Sequence, residues 1–161
     1  MKEVAIVSAV RTPIGNFGGT LRTIPAYDLA ALVLNEVAKR AELEPDLVDM
    51  VIMAQNYQSG EYVNIARMSL LKAGWPVEIP GLTIDRRCPS SLDAVCVATM
   101  TIQSGNGDIL VAGGAESMST AEFYLKGDIR WSLGGVGDMP RGHGSLSTWG
   151  IPMYDRALRG R

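Results

Sequence analysis

Short runs of branched, apolar residues alternate along this chain with stretches spaced for helices, and that alternation restricts the fold more than any other feature. Val4 to Ala9, Met50 to Ala54, Leu82 to Arg86 and Ile109 to Ala112 are each too short for a buried helix and of strand length. Between them, Leu29, Leu32, Val33 and Val37 recur three and four apart, as on one face of a helix. Ile65, Met68 and Leu71 suggest a second helix, with Gly74 and Pro76 as its stop signal. Leu92, Val95, Cys96, Thr99 and Ile102 suggest a third, closed by Gly105-Asn106-Gly107. Strands separated by helices in this way predict βαβ units and a mainly parallel sheet. The fold class expected is therefore α/β.

The pattern fades after Gly114. Eight of the 18 glycines fall between Gly127 and Gly160, with Pro140 and Pro152 as further breaks. A stretch of this length is either a flexible tail or a functional loop that opens a larger lobe. The expected division is a core over residues 1–118 and a Gly-rich loop region over 119–161.

Composition excludes several classes. Fifteen basic against seventeen acidic residues give a formal charge of -2, with no basic cluster for nucleic acid. No apolar stretch is long enough to span a bilayer, and no secretory leader is visible. A cytoplasmic protein is expected. Two cysteines and one histidine make neither a disulfide scaffold nor a metal site.

Cys88 is the candidate for chemistry. It stands where a strand ends and a helix begins, in Ile84-Asp85-Arg86-Arg87-Cys88-Pro89-Ser90-Ser91. Proline suits a first helical position because its missing N–H is not needed there. Cys88 then becomes the expected helix cap, its sulfur near the N–H groups of Ser90 and Ser91, with the helix dipole favouring a thiolate. Arg86 and Arg87 could assist. A free cysteine more often simply packs into a core. Cys96, on the expected apolar stripe of the third helix, is read that way.

The stretch around Cys88 resembles the active-site signature of the thiolase family. Val7-Ser8-Ala9-Val10-Arg11-Thr12-Pro13-Ile14-Gly15 resembles that family's first strand and turn, and Gly113-Gly114-Ala115-Glu116-Ser117-Met118-Ser119 its motif after the fourth strand. Two positions depart: Asp85 stands where the family usually has Asn, and Pro89 where it usually has Gly. Asp85 would place a negative charge beside the thiolate and slow its chemistry.

The resemblance implies the first, βαβαβαβ part of a mixed-sheet half, incomplete, followed by the start of an inserted loop lobe. It implies an acyl-cysteine at Cys88 in a ping-pong Claisen condensation or thiolytic cleavage. Coenzyme A thioesters would be substrates, with no separate cofactor; no coenzyme A-binding residue is nominated. The family's histidine and second cysteine, in Gly-His-Pro and Cys-x-Gly contexts, have no counterpart here. His143, in Arg141-Gly142-His143-Gly144, reads as a loop histidine. A complementary chain carrying the C-terminal half is therefore an expected partner, and the assembled unit an expected oligomer. The rival readings are a ketoacyl or hydroxymethylglutaryl-CoA synthase and a non-catalytic lipid-carrier or scaffold relative. A dinucleotide-binding domain fits worst, since the glycines at 15, 18 and 19 lack the required spacing.

Overall fold

The computed structural model describes residues 2–122. The expected loop region over 119–161, including His143, lies almost wholly outside them. Met1–Thr120 form one compact unit.

Three strands and three α-helices make up the described fold. In chain order they are α1 (Ala26–Arg40), β1 (Met50–Ala54), α2 (Ile65–Lys72), β2 (Gly81–Ile84), α3 (Ser90–Gln103) and β3 (Leu110–Gly114). The strands lie in the order β2-β1-β3 and are all parallel. The register sets Ile52 between Leu82 and Ala112. The βα alternation predicted from the sequence is thus present, and β1 has the expected bounds.

Side chains of β1 alternate between the two faces, as pleating requires. Val51 and Met53 join the core shared with α1 and α2, and Ile52 joins the core under α3 with Ala94 and Ala98. The result is three layers, with the sheet in the middle. Asn35 of α1 accepts a hydrogen bond from the indole of buried Trp75 at 2.8 Å, closing the α1–α2 layer. Gly81 is required where α2 crosses β2: a Cβ there would sit 2.6 Å from the Arg67 backbone nitrogen.

Several expectations are corrected. Val4–Ala9 is not a strand among the described residues, and Ile6 and Val7 are 76 % and 83 % exposed. A strand exists only through a neighbour's hydrogen bonds, and this segment has none beside it. A cleft of about 600 Å³ separates it from β3 and from Leu29 and Val33 of α1.

The helix faces also differ. In α1 the buried stripe is Ala26, Ala30, Ala31, Leu34 and Ala38, while Leu32 is 64 % exposed. In α2 Leu71 is exposed, and Ala66, Ser69 and Leu70 turn inward. In α3 the buried residues are Ser90, Ala94 and Ala98, whereas Leu92 and Cys96 are exposed. Cys96 is therefore not a core residue. Alanines take most of the inward positions of α1 and α3 because they let the helix backbones approach closely, with Leu34 as the large residue of the α1 stripe.

Candidate active site

Parallel strands deliver their following loops to one end of the sheet, the usual place for ligands in open α/β folds. Here that end gathers Asn56 and Tyr57 after β1, Asp85 to Ser90 after β2, and Glu116 after β3.

The Cys88 turn is built by local hydrogen bonds. Arg87 adopts a left-handed backbone, φ 61°, which non-glycine residues rarely hold without support. Asp85 supplies it: its Oδ1 accepts from the Arg87 N–H at 2.9 Å, and its Oδ2 lies 3.7 Å from the Arg87 guanidinium. An acidic residue accepting from the amide two positions on is a standard turn stabiliser. The carboxylate expected to oppose a thiolate thus carries the turn and faces a guanidinium. Arg86 pairs with Asp93 of α3 at 3.0 Å.

Ser90 is the hub. It is 2 % exposed. Its Oγ accepts from the Arg86 N–H at 2.6 Å and shares its one proton between the Arg87 carbonyl and Asn56 Oδ1. The helix begins one residue later than expected: Pro89 is the cap and Cys88 sits in the turn before it, exposed. The Ser90 N–H bonds to the Arg87 carbonyl at 2.9 Å, so it is not offered to the sulfur. The left-handed Arg87 closes that turn and consumes one of the two donors expected to serve the thiolate.

In the sequence Glu116 stands out only as one member of the Gly113–Ser119 motif, yet it organises the site. Its Oε2 accepts from the N–H groups of Asn56, at 2.8 Å, and Tyr57, at 3.3 Å. Burial pushes its carboxyl above the usual range of 4.5, against the pull of those donors. Burial likewise pushes the Tyr57 phenol up, aided by the Glu116 charge and opposed by Arg87. An acid with a raised folded value binds more protons when folded than when unfolded. Stability contributed by Glu116 is therefore lost as pH rises from 4.5 through that raised value. Glu116→Gln should remove this slope, so urea midpoints at acidic and neutral pH should differ less from the native chain's in the acid than in the neutral arm.

The motifs converge. Gly114 at the end of β3 packs against Ser91 of α3 and Ala54 of β1, and a Cβ on it would lie 2.9 Å from the Ala54 Cβ. Gly18, just after the N-terminal motif, donates to Ser119 Oγ at 2.9 Å. Both outer motifs line the 600 Å³ cleft.

Comparison with known proteins decides the family. The N-terminal domain of thiolase matches residues 4–145. The chain belongs to the thiolase family. This thiolase segment is 45 % identical over 127 residues to an acetyl-CoA acetyltransferase of Cupriavidus necator, covering 79 % of this chain and 32 % of that protein. It is 46 % identical over 127 residues to the 3-oxoadipyl-CoA/3-oxo-5,6-dehydrosuberyl-CoA thiolase of Escherichia coli K12, covering 78 % of this chain and 32 % of that protein. The crystal structure of the Bacillus anthracis acetyl-CoA acetyltransferase superimposes with a TM-score of 0.74 at 44 % identity, covering 75 % of this chain and 31 % of that one. The thiolase segment thus spans about a third of the length of these relatives. Among the described residues, no helix is long and apolar enough to cross a membrane.

Proposed function

We propose that this chain supplies the acyl-accepting cysteine of a cytoplasmic thiolase-type acyl-CoA acyltransferase. The Cys88 thiolate attacks the thioester carbonyl, the carbon–sulfur bond to coenzyme A breaks, and coenzyme A leaves as its thiolate. In condensation the acyl group, now on Cys88, passes to an acyl-CoA enolate. In the degradative direction the thiolate instead attacks the 3-keto carbon of a 3-ketoacyl-CoA, the bond between C2 and C3 breaks, the leaving enolate is protonated to acetyl-CoA, and the acyl group on Cys88 then passes to coenzyme A. Coenzyme A thioesters are the substrates, and no separate cofactor takes part.

The observation that carries this reading is an exposed thiol on a pinned turn, at the carboxyl ends of three parallel strands where the three thiolase motifs meet. The relatives' names, an acetyl-CoA acetyltransferase and a thiolase, agree with it. The base and the second cysteine come from a complementary C-terminal half. Two features support such a partner. Leu92 and Met100 leave α3 with an apolar outer face, 67 % and 57 % exposed, and a helix apolar on all sides normally lies inside a larger core. The cleft beside β3 leaves room for a further strand next to Val4–Ala9. The assembled unit is proposed to oligomerise.

The test is intact mass and peptide mapping of the natively purified chain after exposure to acetyl-CoA. An acetyl adduct on Cys88 and not on Cys96 is expected, with a larger complementary chain co-purifying. Both cysteines are exposed, so equal labelling would mean plain thiol reactivity. No labelling would favour the scaffold reading.

A further inference from the structure

We propose that Glu116 is a positioning residue for the Cys88 thiol, acting across the sheet through Asn56 and Ser90. The part that concerns catalysis rests on the nucleophile reading above. The part that concerns geometry does not.

The path is continuous. The ladder between β1 and β3 continues as far as the Ala115 N–H, which donates to the Ala54 carbonyl at 3.1 Å. On the other side, the Gln55 N–H still reaches the Ile84 carbonyl of β2 at 3.3 Å. Beyond these points β1 leaves the sheet, and the next two amides, Asn56 and Tyr57, need another acceptor. Glu116 Oε2 takes both. This fixes the backbone of Asn56, whose Oδ1 lies 3.2 Å from Ser90 Oγ. Ser90 Oγ in turn holds the N–H of Arg86 and the carbonyl of Arg87, the two residues immediately before Cys88. Glu116 touches none of the reacting atoms. It sets the place of the loop against which the thiol's turn is braced.

The choice of a carboxylate is informative. A charge removed from water is costly unless it is well bonded. A neutral acceptor would bridge the two amides without that cost. The ionised oxygen makes stronger bonds to the two N–H groups, which suits a contact whose role is to hold position. None of the three residues is close to the others in sequence, so the brace exists only when β1, β2 and β3 are aligned.

The experiment is hydrogen exchange on the full, natively purified chain, read at the amides of Arg86, Arg87, Cys88 and Ser90. Exchange there should quicken by about tenfold in Glu116→Ala, the scale of one lost buried hydrogen bond. Glu116→Gln keeps an acceptor at Oε1 but loses the charge, and should fall between the native chain and Glu116→Ala. Asn56→Ala leaves the Glu116–backbone bonds in place but cuts the link to Ser90, and should loosen the same four amides. Amides of Val51 to Met53 should be unchanged in all three variants. The proposal is overturned if Glu116→Ala leaves the turn as protected as before, or loosens Val51 to Met53 equally. Acetylation of Cys88 by acetyl-CoA is followed in parallel, with iodoacetamide alkylation as the reading of mere thiol access. Glu116→Ala should slow acetylation and spare alkylation. If the native chain is not acetylated at all while the turn still loosens in Glu116→Ala, the nucleophile reading fails and the positioning stands.

Discussion

Cys88→Ala should abolish acyl transfer from acetyl-CoA to the chain, lowering adduct formation by about a thousandfold or more, the scale seen when a covalent catalyst loses its nucleophile. Thioester exchange through an enzyme-bound acyl group requires an attacking atom, and a methyl group cannot serve. The same change should be almost silent in stability. The thiol is exposed, the turn around it is held by Asp85, Ser90 and the backbone of Arg87, and surface substitutions usually stay within about 0.5 kcal/mol. Cys96→Ala should leave labelling within about twofold of the native chain, since Cys96 lies two turns along α3, away from the turn. Rates of adduct formation by mass spectrometry, together with urea unfolding of each variant, check both halves. An adduct that persists in Cys88→Ala would transfer the chemistry to another residue.

Ile52→Ala should give the largest loss of stability of any single truncation proposed for this domain, about 4 kcal/mol within the usual range of 2–5 for large-to-small core changes. Ile52 is fully buried on the central strand and flanked by Leu82 and Ala112 in the ladder. Its side chain packs under Ala94 and Ala98 of α3. Alanine side chains have nothing to swing into the space left behind, so the cavity stays open and the cost falls in the upper part of the range. Domains of this kind hold only about 5–15 kcal/mol in total. The urea midpoint should therefore fall sharply with an unchanged slope. Because α3 opens at the Cys88 turn, Ile52→Ala should also weaken acetylation, in proportion to the unfolded fraction. Leu92→Ala, on the exposed side of the same helix, is the control and should cost little in the isolated chain.

The alternation of strands and helices was legible along the chain, because strand-length apolar runs and helical spacing are local signals that survive without the rest of the molecule. The sequence located β1 at Met50–Ala54 and a strand-to-helix turn at Cys88, and its three motifs carried the resemblance to thiolases that the comparisons establish. The rest depended on contacts between segments distant in the chain. Val4–Ala9 has strand composition but no strand beside it, since pairing is a property of two segments and not of one. The inward faces went to Ala26, Ala30, Leu34 and Ala38 in α1 and to Ala94 and Ala98 in α3, because apolar residues stand on more than one side of each helix and close packing picks which of them turns in. That choice also brought Cys96 to the surface. The Ser90 N–H, expected for the thiolate, went to the Arg87 carbonyl once Asp85 stabilised a left-handed residue there. Glu116 meets Asn56 across 60 residues of chain. No local pattern encodes that contact, because it forms only when parallel strands set three separate loops side by side.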